Sequence, residues 1–143
     1  MAAERTAQVT WSGSLLDGSG TIDRVGSGAF GPLDVTWAAR TEESNGRTSP
    51  EELIAAAHAA CFSMAFSGAL AKAGTPPERL ETSATVTFVP GEGITKSALT
   101  VRGSVPGMDD EAFREAAETG KENCPVTKAL AGVPEITVDA SLS

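Results

Sequence analysis

Two hydrophobic rhythms divide the chain, a strand-like alternation and a helix-like spacing. Residues 5–13 (RTAQVTWSG) alternate and carry Val9 and Trp11 on one face, which predicts a strand. Leu16-Asp17-Gly18-Ser19-Gly20 is turn material. Residues 20–28 and 32–40 predict two more strands, divided around Gly28 and Gly31-Pro32; the second aligns Leu33, Val35 and Trp37. A polar loop, TEESNGRTS, covers 41–49. A long helix is then predicted over 50–73. Ser49 can cap it, Pro50 suits its first position, and Glu51 and Glu52 meet the positive end of its dipole. Gly74-Thr75-Pro76-Pro77 ends it. Nearly every residue from 53 to 70 is small or apolar, so this helix should be buried on most sides. Its many alanines would let other backbones approach closely. Strands over 80–90 and 94–106 flank a Gly91-Glu92-Gly93 hairpin loop. Asp109 caps a helix over 109–121 that aligns Phe113, Ala116 and Ala117, and Cys124-Pro125 begins a short helix to about residue 131. Residues 135–142 alternate as a closing strand. The order βββ-α-ββ-αα-β is an α+β fold, with antiparallel strand groups around one very buried helix.

Composition narrows the function classes. The chain has 143 residues, which suits a single domain spanning 1–143, and no internal repeat or linker divides it. With 41% hydrophobic and 21% charged residues, the composition is globular rather than disordered. Eleven basic against nineteen acidic residues give a net charge of −8, which disfavours nucleic acid or an anionic membrane as partner. No apolar run is expected to reach the ~20 residues of a membrane span. The N-terminal residues lack a signal-peptide core, and a cytoplasmic location is expected.

The chemistry rests on few residues. There are two cysteines, Cys61 and Cys124, and no Cys-x-x-Cys. Together with the single His58 they make three soft ligands, one short of a closed structural zinc site. They are two inert thiols, a catalytic thiol, or a redox pair. Cys61 lies mid-helix, about eleven residues past the helix start, beyond the turn where the dipole lowers a thiol pKa. A reactive Cys61 therefore needs a cation from elsewhere in the fold. Cys124 precedes Pro125 and falls at a helix N-cap, where thiolate is favoured. His58 is one turn before Cys61, either as a Cys–His pair or as a histidine satisfied within the packed helix. Glu42 and Glu43 read as solvated loop, and spacing alone selects neither Arg40 nor Arg47 as a site cation.

The segment Ser49-Pro50-Glu51-Glu52-Leu53 through His58-Ala59-Ala60-Cys61-Phe62-Ser63-Met64 resembles the signature helix of the OsmC/Ohr family, the osmotically inducible protein C and organic hydroperoxide resistance proteins. Glu122-Asn123-Cys124-Pro125-Val126-Thr127-Lys128-Ala129-Leu130 resembles the family's second cysteine motif. The His-Ala-Ala-Cys-Phe wording favours the OsmC branch. The resemblance implies an intertwined homodimer with two long helices back to back and active sites at the subunit interface. It implies a thiol peroxidase acting in oxidative and osmotic stress defence. Cys61 thiolate would attack the peroxide, and Cys124 would condense with the resulting sulfenic acid to a Cys61–Cys124 disulfide. A dithiol or a lipoylated protein would reduce that disulfide. Arg40 would hold Cys61 as thiolate, with Arg47 as the second candidate, and Glu51 would orient the arginine.

Glu51 and Cys61 are ten residues apart, ~15 Å along a straight helix, so both cannot touch one guanidinium within that helix. Arg40 and Glu51 are therefore expected to reach the Cys61 of the other subunit. Phe62, Met64, Phe66 and Leu70 would supply an apolar mouth favouring organic hydroperoxides over hydrogen peroxide. No metal, flavin or nucleotide motif is present, so no cofactor is expected. The alternatives are a redox sensor or an apolar-ligand-binding dimer without significant turnover.

Overall fold

A computed structural model describes all residues, 1–143, which fall into two compact units, Met1–Pro50 and Glu51–Ser143. The first unit is a three-stranded antiparallel sheet in the order β1 (Ala7–Ser12), β2 (Ser19–Val25), β3 (Leu33–Val35). Trp11 pairs with Gly20, and a side chain at Gly20 would collide with the Trp11 ring. Thr10 Oγ1 donates to Asp23 Oδ2 across the same pair at 2.8 Å. All six residues of β1 are exposed, Val9 and Trp11 among them.

The expected strand over 32–40 is cut short. After Val35 the chain turns into a helix, α1 (Trp37–Thr41). The cause is local: Thr36 Oγ1 accepts from the Ala39 amide at 3.0 Å, a side-chain N-cap, and Ala38, Ala39 and Arg40 are good helix formers. Beyond it, Thr48 is buried, bridges to Val35, and donates its amide to Asp34 O at 3.0 Å.

The second unit is built on α2 (Pro50–Lys72). Gly74 ends this helix in the left-handed region, and Thr75 donates its amide back to Leu70 O. A second sheet runs β4 (Arg79–Val89), β5 (Gly93–Ser104), β6 (Glu135–Leu142). β4 and β5 form the expected antiparallel hairpin, from Arg79 opposite Ser104 to Val89 opposite Gly93. β6 departs from the antiparallel expectation and pairs with β5 in parallel, Lys96 opposite Glu135 through Gly103 opposite Leu142. Two helices, α3 (Asp110–Asn123) and α4 (Pro125–Ala129), separate β5 from β6 and carry the chain back to its starting end, the crossover that a parallel pair requires. α3 starts as predicted, with Asp109 Oδ1 accepting from the Ala112 amide at 2.8 Å.

The core of this unit is made where α2, α3 and the sheet meet. His58, Phe62, Phe66 and Leu70, four residues apart each time, form the buried stripe of α2. Phe66 lies between Phe62 and Phe113, with ring centroids 5.3 and 5.2 Å away in tilted contacts. Leu99, Val101, Ala117, Cys124 and Ala140 close the cluster. Gly103 is needed here, because a side chain on it would overlap the Phe113 ring. Length and apolar composition would let α2 cross a membrane, contrary to the expectation that no run reaches that size. Its packing against α3 and the sheet marks it as the core helix of this unit. Only one stripe is covered, however: Ala56, Ala57, Ala60, Met64 and Gly68 are exposed, where burial on most sides was expected.

Candidate active site

The two cysteines meet. Cys61 comes from the middle of α2, partly exposed, and Cys124 from the α3–α4 junction, fully buried. Both are free thiols, close enough that each acts on the ionisation of the other. Cys124 is the N-cap of α4, with Pro125 as the first helical residue. Its sulfur closes no cap hydrogen bond of ordinary geometry, yet the amides of Val126 and Thr127 face it closely enough to act on its charge.

The environment splits the pair. Burial pushes the Cys124 thiol up, but the Thr127 amide, the Cys61 thiol, the Thr127 hydroxyl and the Val126 amide outweigh it and hold Cys124 below the ordinary thiol range. Burial also pushes Cys61 up. The Val126 amide opposes that, while Cys124 adds to it as a polar neighbour and as a negative charge. Within the second unit, therefore, negative charge is favoured on Cys124 over Cys61. A cation beside Cys61 would draw the charge toward that thiol.

His58 does not pair with Cys61. It is fully buried, its Nδ1 lies 2.6 Å from Ser97 Oγ on β5, and its Nε2 lies 2.8 Å from Thr127 Oγ1 on α4. Burial lowers its pKa, so the ring is neutral at pH 7. Of the two readings of His58, the satisfied histidine is the one the structure adopts. Ser97 and Thr127 were not singled out from the sequence. Thr127 was legible in principle, as a hydroxyl three residues past an N-cap cysteine; Ser97 comes from a distant strand and carries no local signal.

The remaining site candidates lie elsewhere in the chain. Arg40 sits in α1, half-buried, its guanidinium 5.8 Å from the centroid of the Trp37 ring. Arg47 is on the exposed loop that follows. Glu51 opens α2 and is buried. Of the proposed apolar mouth, Phe62, Phe66 and Leu70 are sealed in the core, since they share the inward stripe, and only Met64 faces outward, at 75% exposure. An open groove of about 570 Å³ runs along that side of α2, between Met64, Gly68, Pro77 and Arg79.

With this geometry in place, the chain can be set against known proteins. Residues 43–139 match the family model described as OsmC-like protein. The chain belongs to the OsmC-like family. Peroxiredoxin OsmC of Escherichia coli (strain K12) is 39% identical over 145 residues, covering 99% of each chain, and the protein of the same name from Shigella flexneri matches equally. Among solved structures, an OsmC-like protein from Mycoplasma pneumoniae superposes with a TM-score of 0.72 at 18% identity over 99% of both chains. The organic hydroperoxide resistance protein OhrB of Bacillus subtilis gives 0.63 at 26% identity, over 96% of this chain and 98% of that one. The α+β architecture with two small sheets and a long helix is thus the OsmC-like fold.

Proposed function

We propose that this OsmC-like protein is a cysteine-based peroxidase that reduces organic hydroperoxides. The observation that carries the reading is the neighbouring thiol pair, one member partly exposed and the other buried. An exposed thiol can meet a peroxide, and a buried neighbour within reach can trap the product before further oxidation. The names peroxiredoxin and organic hydroperoxide resistance protein borne by its relatives support the same chemistry.

In the proposed cycle, Cys61 thiolate attacks the distal peroxide oxygen. The O–O bond breaks, the alkoxide takes a proton to leave as alcohol, and Cys61 becomes a sulfenic acid. Cys124 thiolate then attacks the Cys61 sulfur, the hydroxide leaves with a proton as water, and a disulfide forms. A dithiol, free or as a lipoyl group on a protein, returns two electrons and two protons and leaves oxidised. The cation that moves the thiolate onto Cys61 is proposed to be Arg40, oriented by Glu51, both supplied across the interface of a homodimer. The exposed apolar face of α2 and the uncovered β1 support such a dimer, since both are surfaces of the kind a second copy would bury. We read the two units as one domain, because the similarity to the curated relatives runs through both. A cytoplasmic site of action suits thiols that must be kept reduced.

The test is peroxide consumption with a dithiol donor in excess, cumene hydroperoxide against hydrogen peroxide. Turnover is expected to favour the organic peroxide and to vanish in Cys61→Ser. Cys124→Ser should complete one reduction and then accumulate Cys61 sulfinic acid, visible by mass spectrometry. Stoichiometric oxidation of the native protein without turnover would instead make the pair a redox switch.

A further inference from the structure

One buried polar constellation has no part in that cycle. Ser97, His58 and Thr127 come from β5, α2 and α4 and are linked in series: Ser97 Oγ to His58 Nδ1 at 2.6 Å, and His58 Nε2 to Thr127 Oγ1 at 2.8 Å. Ser97 and His58 are both fully buried. Thr127 lies three residues past Cys124, at the start of the helix that Cys124 caps, and its hydroxyl is close enough to act on the charge of that thiol. We propose that Ser97, His58 and Thr127 form a polarised hydrogen-bond chain that ends on Cys124 Sγ and sets its thiolate character, with His58 and Thr127 as positioning residues for disulfide closure.

Thr127 has a single hydroxyl proton and a neutral imidazole has a single N–H. If Thr127 donates to Cys124 thiolate, its oxygen is free to accept from His58 Nε2–H. Nδ1 is then the ring's acceptor, and the Ser97 hydroxyl donates to it. Every link points toward the sulfur. If Cys124 instead carries its proton and donates to Thr127, each link must reverse, and the ring proton moves to Nδ1. The tautomer of one buried histidine is thereby tied to the charge on the thiol two links away. With a neutral ring one nitrogen accepts and Ser97 can donate to it. The cost of burying His58 is consistent with that. Links in such a chain polarise one another, so the far end contributes to the near one.

The consequence is kinetic. Disulfide closure needs Cys124 as nucleophile, and reduction through Cys61 needs it as leaving group. A chain that favours the thiolate serves both steps. The inference rests on reading Cys124 as the thiol that closes the disulfide, but its test uses no peroxide. The reduced protein is treated with the chromogenic disulfide dithiobis(nitrobenzoate). Cys61, the more exposed thiol, displaces one nitrobenzenethiolate and becomes a mixed disulfide. Cys124 thiolate then attacks the Cys61 sulfur, expels the second nitrobenzenethiolate, and the Cys61–Cys124 disulfide forms. Cys124→Ser should lose the second phase, which assigns it.

Thr127→Val keeps the shape of the side chain and removes the hydroxyl. The pH midpoint of the second phase should move upward in this variant. A weaker acid is also a better nucleophile, by about threefold for each tenfold change in acidity. Below the midpoint, Thr127→Val should therefore be slower, about threefold for each tenfold loss of thiolate; above it, Thr127→Val should be faster. That crossing of the two profiles is not produced by loosened packing, which slows the reaction at every pH. Thr127→Ser should restore the native profile, and Ser97→Ala should shift it in the same direction as Thr127→Val but less. His58 is the only histidine, so its ring nitrogens give single, assignable NMR signals. Nε2 should carry the proton in reduced protein above the midpoint. An unshifted midpoint in Thr127→Val, or a ring protonated on Nδ1 under those conditions, would overturn the chain. Loss of peroxide turnover with the crossing intact would remove the peroxidase reading alone.

Discussion

At the scale of the residue, place relative to a helix start decides which cysteine favours charge, as the N-cap position of Cys124 led one to expect. Cys61 stands in the family's signature helix, yet burial and its neighbour both keep it protonated, and the amides and hydroxyl at the start of α4 favour charge on Cys124. A cation at Cys61 was required from sequence for a different reason, its distance from the helix start; the structure adds that the charge must also be drawn away from Cys124. His58 shows the same local control in the stability of the fold. Burial lowers its pKa, so the native state binds its proton less readily than the unfolded chain does. Its contribution is fully present above the unfolded value near 6.5 and is lost as pH falls from there toward the lowered native value. For a single proton that loss cannot exceed about 1.4 kcal/mol per pH unit. Denaturant unfolding from pH 7.5 down to pH 5 should therefore show an acid-sensitive component that His58→Gln lacks. Parallel pH profiles of the two proteins would mean that His58 titrates as it does in the unfolded chain.

At the scale of the element, the sequence was most informative where one cause acts alone. Asp109 before a run of helix formers, and Pro50-Glu51-Glu52 after Ser49, place the starts of α3 and α2 correctly. The reading failed where a single side chain decides between two local structures. Leu33, Val35 and Trp37 alternate like a strand, but Thr36 caps the next turn and the chain becomes α1. It also missed the parallel pairing of β6, because a strand's own pattern does not state the direction of its neighbour. For the site, both cysteines were legible because each stands in a motif. The Ser97–His58–Thr127 series was not, because it joins residues 39 and 69 positions apart that only the folded sheet and helices bring together. The stripe on α2 allows a quantitative expectation. Phe66 is fully buried between two rings, so Phe66→Ala should cost about 3–5 kcal/mol in denaturant unfolding, the usual range for emptying such a site. A loss under about 1 kcal/mol would mean that α2 and α3 close over the gap.

At the scale of the whole molecule, the decisive feature is a helix whose composition asks for more cover than its own chain provides. α2 is apolar on nearly every side, but the second unit buries only the stripe through His58, Phe62, Phe66 and Leu70. The opposite side carries alanines, Gly68 and a Met64 that is 75% exposed. Small residues there would let a second helix approach closely, and Met64 would fill the remaining gap. The proposed homodimer makes a joint expectation about assembly and chemistry. Met64→Glu places a charge in the middle of this face while leaving the buried stripe untouched. Light scattering should then show the mass falling from two chains to one, with the far-ultraviolet circular dichroism of the fold retained. If Arg40 and Glu51 act across the interface, organic hydroperoxide turnover should fall with it, by at least tenfold and in proportion to the monomer fraction. Raising the protein concentration should recover both together. A monomeric Met64→Glu protein at full activity would place a complete site within one chain, and the cation that charges Cys61 would then have to come from that chain itself.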